Sequence, residues 1–185
     1  MILVIHAHPY PAHSRVCQEL VTAVRDLPDV EVRSLYDLYP DFDIDIAAEQ
    51  QALLRAQLVV WLHPIYWYST PGLLKHWFDK VLALGWAYGR GGNALHGKHC
   101  LWVASIGGAE HTYAAGHSNQ LPFQSYMGPV EQTARYCGMH WETPELVFDT
   151  HEISHEKLQA RAGQLRERLA EWTAQHDARK GRGTP

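Results

Sequence analysis

The residues best suited to chemistry lie in an aromatic segment in the middle of the chain. Residues 63–75 include three consecutive aromatic side chains, Tyr66, Trp67 and Tyr68. An apolar stretch precedes this segment and a helical pattern follows it, which predicts a loop at the carboxyl end of a strand. Ligands of open α/β sheets bind at that edge of the sheet. The aromatic faces and backbone amides of this loop therefore indicate a flat, aromatic cofactor.

The loop after the first predicted strand has the features of a phosphate site. Residues 6–15 lead into a predicted helix, whose first amides and dipole attract anions. The hydroxyl of Ser14 and the guanidinium of Arg15 add hydrogen-bond donors at the same place. Ser14 could instead serve only as the cap of this helix, so both roles stay open. Cys17 follows on the helix and is interpreted as a small packing residue.

A pair of glycines follows the fourth predicted strand. Gly107 and Gly108 would allow the backbone to approach a ligand closely, although such a pair also occurs in ordinary turns. Tyr113 and His117 come next and lie within reach of the same edge. Each could be an ordinary surface residue, and only the neighbouring loops make them candidates for a site.

The elements that must position these loops alternate between strands and helices. The pattern predicts strands at residues 2–5, 30–35, 58–62, 98–105 and 146–148, and helices at residues 14–25, 73–84, 130–136 and 156–175. Such alternation implies right-handed crossovers and a parallel sheet. The predicted fold class is α/β: a flavodoxin-like three-layer sandwich with a five-stranded parallel sheet in the order 2-1-3-4-5. A single domain is expected over residues 1–177, followed by a polar tail at residues 178–185.

Composition excludes several classes of protein. The chain has 185 residues, a net charge of -4 and a pI near 6.3, so it lacks the basic footprint of a nucleic-acid-binding protein. Its apolar runs are of strand length, and its amino terminus does not resemble a signal peptide. Three cysteines, an odd number without paired spacing, fit free thiols in a reducing compartment. The expected location is the cytoplasm.

Other functional classes are disfavoured by missing motifs. The chain contains neither the glycine fingerprint of dinucleotide-binding domains nor a phosphate-binding loop ending in Gly-Lys-Ser/Thr. His6 and His8, like His151 and His155, have spacings seen in metal pairs, but neither pair has a third ligand at a fixed spacing, so no metal site is predicted. A receiver domain would need acidic residues after the first strand, where this chain has histidines.

Five motifs occur in the same order along nearly the whole chain. They are His8 with Ser14, residues 64–68, residues 71–81, residues 85–89, and Gly107 with Gly108. Together they resemble the flavodoxin-like NAD(P)H:quinone oxidoreductase family. Residues 38–50, 85–89 and 95–98 further resemble the ancillary proteins of the glutathione-regulated potassium-efflux systems, and the KefF type matches better than the KefG type.

The resemblance implies a flavin held by three loops. It assigns the phosphate end to His8, Ser14, Arg15, Val16 and Cys17, the ring edge to Ile65, Tyr66, Trp67 and Tyr68, and the pyrimidine side to Ser105, Ile106, Gly107 and Gly108. Tyr113 and His117 fall near the Tyr/His pair with which the family stabilises negative charge on the reduced flavin, so they are the implied catalytic residues. Cys17 departs from the asparagine often found at its position.

The implied reaction is a ping-pong, two-electron hydride transfer from NADH or NADPH through the flavin to a quinone. Trp67, Tyr68, Trp86 and Tyr88 would form the apolar walls of the substrate pocket. The chain lacks the long carboxyl-terminal extension of the animal enzymes, which favours FMN over FAD.

The resemblance also implies two kinds of protein partner. One is a second copy of the chain, because quinone reductases of this kind build each site from two subunits. The other is a potassium/proton efflux antiporter, which would hold the protein at the cytoplasmic face of the inner membrane. A purely regulatory role, in which the chain binds the antiporter and its turnover is incidental, is the alternative to an enzyme.

Overall fold

A parallel sheet forms the centre of the computed structural model, which describes residues 1–114 and 116–180 apart from the side chains of Ala12 and residues 177–180. Its strands are β1 (Ile2–His6), β2 (Val30–Ser34), β3 (Leu58–Pro64), β4 (His99–Ser105), β5 (His140–Trp141) and β6 (Glu145–Val147). The order is β2-β1-β3-β4-β5, and β6 also pairs with β4. All pairings are parallel, and the predicted strand order is confirmed.

The fifth position of the sheet differs from the prediction. One strand was expected at residues 146–148, but β5 and β6 share this position and pair with opposite ends of β4. Pro144 lies between them, and a proline cannot donate a hydrogen bond to a neighbouring strand. The position is therefore occupied by two short strands, and Phe148 lies just beyond the second.

Six α-helices in the described part of the chain cover the sheet. They are α1 (Arg15–Val24), α2 (Leu35–Leu38), α3 (Ile46–Arg55), α4 (Gly72–Val81), α5 (Gln124–Tyr136) and α6 (His155–Lys180). The sequence patterns had not predicted α2 or α3. Among the described helices, none is both long enough and apolar enough to cross a bilayer. Because α6 continues through Lys180, it includes the first residues of the predicted tail, and residues 181–185 lie outside the described part of the chain.

Both faces of the sheet are buried. On one face, alternate strand residues such as Val4 and Val60 pack against α1 and α6. On the other, Trp61 and Trp102 pack against the side of the molecule that carries α3, α4 and α5. This arrangement explains why the central strands read as continuous apolar runs, as expected of a parallel sheet covered on both sides.

A fully buried carboxylate joins four parts of the second layer. Glu49 on α3 is 0% exposed, and its Oε1 accepts hydrogen bonds from Arg33 Nε and the Tyr39 hydroxyl, each at 2.7 Å. Its Oε2 accepts a hydrogen bond from Trp77 Nε1 at 2.9 Å. These partners come from β2, from the residue after α2 and from α4, so Glu49 fixes α3 onto the sheet through paired polar groups rather than apolar contacts.

Candidate functional site

A cleft of about 760 Å³ opens where β1, β3 and β4 end. It is lined by His8, Tyr10, His13, Ser14, Arg15, Val16, Cys17, Pro64, Ile65, Tyr66, Ser105, Gly107, Thr150 and His151. Nine of these residues are predicted cofactor contacts, drawn from all three predicted loops. The fold thus brings the three loops together at one edge, as expected for neighbouring parallel strands.

Ser14 supplies an unpaired donor at one end of the cleft. It precedes α1, but its side chain makes no capping hydrogen bond to that helix. Its Oγ is buried and has no partner among the described residues. A buried hydroxyl without a partner is costly, which indicates that a ligand or water completes the site. The structure thus does not support the capping role.

His8 supplies a second donor. Its Nδ1 accepts a hydrogen bond from the Tyr10 amide at 3.1 Å, and its ring lies edge-on to Tyr66. Burial lowers the pKa of His8, so the ring is neutral and carries its proton on Nε2. Together with the first amides of α1, these donors suit an anion such as a phosphate.

Arg15 is placed differently from the prediction. Its Nη2 donates to the backbone carbonyls of Ile153 and Thr150, in the segment between β6 and α6. The guanidinium therefore ties α1 to that segment while it lines the cleft. Its side chain lines the cleft next to Ser14, and these two contacts direct it toward the protein backbone.

The aromatic turn after β3 is conformationally strained. Tyr66 and Ser69 exchange two backbone hydrogen bonds, at 3.1 and 3.0 Å, and Trp67 and Tyr68 between them have φ values of 49° and 63°. Left-handed backbone is unfavourable for bulky residues and costs roughly 1–3 kcal/mol per residue. Trp67 is 92% exposed, whereas Tyr68 stacks on Tyr126. Strain of this kind is typical of binding loops.

The two glycines allow side chains to lie close to the backbone of the third loop. A Cβ at Gly107 would lie 3.1 Å from His151 Nε2, and one at Gly108 would lie 3.2 Å from the Tyr113 hydroxyl. Tyr113 also packs edge-on against Phe123. Burial raises the pKa of Tyr113, so its hydroxyl stays protonated at neutral pH and can donate a hydrogen bond.

His117 is not brought to the cleft. Its ring lies 5.9 Å from that of His111, edge to face, and its side chain is exposed. His117 is not among the residues that line the cleft. Tyr113 does not line the cleft either, but of the two predicted catalytic residues it is the one whose ring lies against the glycine loop.

The predicted substrate pocket is also divided. Tyr88 lines a second cavity of about 510 Å³, between α4 and α5, together with Ser69, Thr70 and Tyr136. Trp86 is half-buried and packs against the core. Neither Trp67 nor Tyr68 lines either of these two cavities, although Ser69 directly follows them in the chain. Within one described chain, the four predicted walls do not enclose a common pocket.

Several residues of the cleft had not been predicted as site residues. Tyr10, His13, Thr150 and His151 line it. Thr150 and His151 follow the last strand of the sheet, so the rule that ligands bind at the carboxyl edge could have identified them. No group of three or more His, Cys, Asp or Glu residues in the described ranges is arranged to hold a metal ion.

A buried histidine connects the two strands from which two loops of the cleft begin. His63 accepts a hydrogen bond from Trp102 Nε1 at 2.7 Å, and its Nδ1 donates to the Pro64 carbonyl at 2.9 Å. Burial lowers the pKa of His63 to about 4, so the ring is neutral at physiological pH. His63 therefore fixes the carboxyl ends of β3 and β4, from which two loops of the cleft begin.

Comparisons with known proteins agree with this geometry. A family model described as a flavodoxin-like fold matches residues 1–169. The glutathione-regulated potassium-efflux system ancillary protein KefF of Salmonella typhimurium is 51% identical over 172 residues, which cover 93% of this chain and 97% of that protein.

Two solved structures are also similar. General stress protein 14 of Treponema denticola, in complex with FMN, has a TM-score of 0.86 and 36% identity, covering 94% of this chain and 98% of that one. An NADPH-quinone reductase from P. pentosaceus has a TM-score of 0.82 and 27% identity, covering 90% and 96%. The chain therefore belongs to the flavodoxin-like family and, within it, to the group of KefF ancillary proteins.

Proposed function

We propose that this chain is an FMN-dependent NAD(P)H:quinone oxidoreductase that also acts as the activating subunit of a potassium/proton efflux antiporter. The FMN-bound stress protein and the NADPH-quinone reductase support the enzymatic part. The name of the KefF relative supports the part played with a transporter. FMN is preferred to FAD, and either NADH or NADPH would serve as the electron donor.

The observation that carries the enzymatic proposal is the unpaired hydroxyl of Ser14 beside the first amides of α1. This donor set suits a phosphate monoester. The cleft continues from it to Ile65, Tyr66 and Gly107, whose apolar and flat surfaces suit an aromatic ring. These residues thus fit a ligand that has a phosphate at one end and a planar ring at the other, as FMN does.

Each group of residues would then have a distinct task. His8, Ser14 and the start of α1 would hold the phosphate, with Val16 and Cys17 beneath it. The ring would lie between residues 65–68 and residues 105–108. When bound, FMN supplies the two-electron hydride chemistry that amino-acid side chains lack.

Tyr113 would donate a hydrogen bond toward negative charge that develops on the ring. Its hydroxyl remains protonated because burial raises its pKa, and it lies against Gly108. A preorganised donor of this kind is worth roughly a few kcal/mol in the transition state. His117 is proposed as a second donor by resemblance alone, since the described geometry leaves it outside the cleft.

A second copy of the chain would complete the substrate pocket. Trp67, Leu84 and Tyr136 are large apolar side chains that are more than half exposed, and the second cavity lies between α4 and α5. Tyr136 lines this cavity, and large apolar side chains exposed at a surface are typical of an association surface. In a homodimer, Trp86 and Tyr88 of one copy could then wall a pocket over the ring, where the electron donor and the quinone bind in turn.

The alternative is a regulatory subunit whose turnover is incidental. The KefF name supports it, because that name describes an ancillary protein. In both cases the protein would be cytoplasmic and would lie at the inner face of the membrane through its transporter. A variant that cannot bind flavin separates the two readings: if it still raises potassium efflux, binding rather than turnover is the physiological task.

The first experiment is the visible absorption spectrum of the purified protein, followed by acid release and chromatography of its cofactor. We expect flavin bands, the retention time of FMN, bleaching by NADH or NADPH, and recovery of the bands on addition of a benzoquinone. A colourless protein that takes up neither FMN nor FAD would contradict the enzymatic proposal and leave the regulatory one.

A further inference from the structure

Ser105 links two walls of the cleft. Its carbonyl accepts a hydrogen bond from the Ile65 amide at 2.8 Å, and its Oγ lies 3.2 Å from the sulfur of Cys17. The three residues belong to the ends of β4 and β3 and to α1, and all of them line the cleft. Ser105 is thus the point at which the phosphate end and the ring end of the cleft are joined.

The thiol of Cys17 is held in its protonated form. Its side chain is 1% exposed, and burial raises the pKa of the thiol. A nucleophilic role would need the thiolate, so this cysteine is not suited to covalent chemistry. The protonated thiol can still form a hydrogen bond with Ser105 Oγ. Because sulfur is a weak acceptor, the thiol is better suited to donate this hydrogen bond than to accept it.

The direction of this hydrogen bond determines where the hydroxyl of Ser105 can point. If the thiol donates to Ser105 Oγ, the serine proton is free for another acceptor. Among the described residues, Cys17 is the only side-chain or backbone partner of that hydroxyl. Since Ser105 lines the cleft, its proton would face a ligand there, and donation from the thiol would make the hydroxyl a better donor.

We propose that Cys17 is a positioning residue: its thiol orients the Ser105 hydroxyl as a donor to an acceptor atom on the ring of the bound flavin. This inference rests on the proposed function and assigns a task to the residue that departs from the asparagine expected at its position. In this proposal Ser14 serves the phosphate end of the cleft, whereas Cys17 acts through Ser105 on the ring end.

Binding of FMN and of riboflavin to the apoprotein distinguishes these two tasks, because riboflavin has the same ring but no phosphate. Dissociation constants would be measured by quenching of flavin fluorescence for the wild type and for Cys17→Ala, Cys17→Ser and Ser14→Ala. Cys100→Ala is the matched control, since Cys100 is a buried thiol at the opposite end of β4. Circular dichroism and thermal unfolding would show that each variant is folded.

We expect Cys17→Ala to raise the dissociation constants of FMN and riboflavin by the same factor, about threefold to tenfold, as for the loss of one hydrogen bond. Cys17→Ser, which keeps a donor, should restore both affinities. Ser14→Ala should raise the dissociation constant of FMN about tenfold or more, because hydrogen bonds to a charged group are stronger than those between neutral groups. The dissociation constant of riboflavin should change little, because riboflavin has no phosphate. Cys100→Ala should leave both affinities unchanged.

Three results would overturn the inference. They are unchanged binding in Cys17→Ala, a loss confined to FMN, and a failure of Cys17→Ser to restore the affinity of a folded protein. If wild-type protein binds neither flavin, the proposed function fails instead, and that outcome is distinct from all three.

Discussion

Two groups of buried polar side chains in this molecule are organised in opposite ways. Around Glu49, both carboxylate oxygens are occupied by donors from three neighbouring segments. In the cleft, Ser14 is also buried, yet its hydroxyl has no partner among the described residues. The first group is complete within the chain, and the second is completed only by something else.

This difference distinguishes buried polar groups that stabilise the fold from buried polar groups that are suited to bind a ligand. A fully paired buried network fixes the packing of the elements that contribute to it. A buried donor without a partner costs stability, and a ligand that supplies the acceptor recovers that cost. The strained residues Trp67 and Tyr68 also lie beside the cleft, whereas the Glu49 network shows no left-handed backbone at its four residues.

The largest expected effect comes from Glu49→Ala. Removal of the carboxylate leaves the Trp77 and Tyr39 donors without their buried acceptor, and it leaves the half-buried Arg33 with Glu31 as its remaining anionic partner. The free energy of unfolding should therefore fall by roughly 3–5 kcal/mol. Denaturant unfolding of the flavin-free protein would measure it. Glu49→Gln, which keeps an acceptor and removes the charge, should lose less. A loss below about 1 kcal/mol in the alanine variant would contradict the importance of this network.

His63 should make the free energy of unfolding depend on pH in the acidic range. The pKa of His63 is about 4 in the folded protein, below the ordinary value of 6.5, because burial disfavours its charged form. Unfolded chains therefore bind a proton between pH 6.5 and 4 that folded chains do not, and stability falls as the pH decreases across this range, by about 3 kcal/mol at pH 4.

His63→Gln offers the matched comparison for this pH effect. Its amide can accept from Trp102 and donate to the Pro64 carbonyl, but it does not titrate. Unfolding free energies at several pH values between 7 and 4 should therefore decline less steeply in the variant. Equal slopes for the two proteins would show that His63 is not responsible.

A smaller effect is expected in the aromatic turn. Trp67→Gly should raise the free energy of unfolding of the flavin-free protein by about 1 kcal/mol, because glycine adopts a positive φ without strain. Tyr10→Gly is the control, since Tyr10 is also exposed but has a φ of −129°. The free energy of unfolding of Tyr10→Gly should fall by about 0.5–1 kcal/mol, because glycine makes the unfolded chain more flexible. If both variants lose stability alike, the turn stores no strain.

Apolar runs bounded by turn residues were sufficient to predict the central strands, and their alternation with helices predicted the fold class from which the strand order follows. It failed for α3, whose inward-facing residues include the charged Glu49. Burial of that residue depends on Arg33, Tyr39 and Trp77, which are distant in sequence. No local pattern contains this information, so the helix could not be identified from apolar spacing.

The candidate site shows the same division. The three loops were predictable, because the carboxyl ends of neighbouring parallel strands meet at one edge. The direction of single side chains was not: Arg15 finds the carbonyls of Thr150 and Ile153, more than a hundred residues later. His117 does not line the cleft, and its ring lies edge-on to that of His111 instead.

The split between β5 and β6 has a consequence for how copies of this protein can associate. An uninterrupted edge strand offers a row of free amides and carbonyls, on which another sheet can grow. Here that edge consists of strands of two and three residues separated by a segment with Pro144. The opposite edge, β2, carries Glu31 and Arg33. Both edges therefore resist edge-to-edge aggregation, and an ordered pair of chains would have to meet through helices and loops instead.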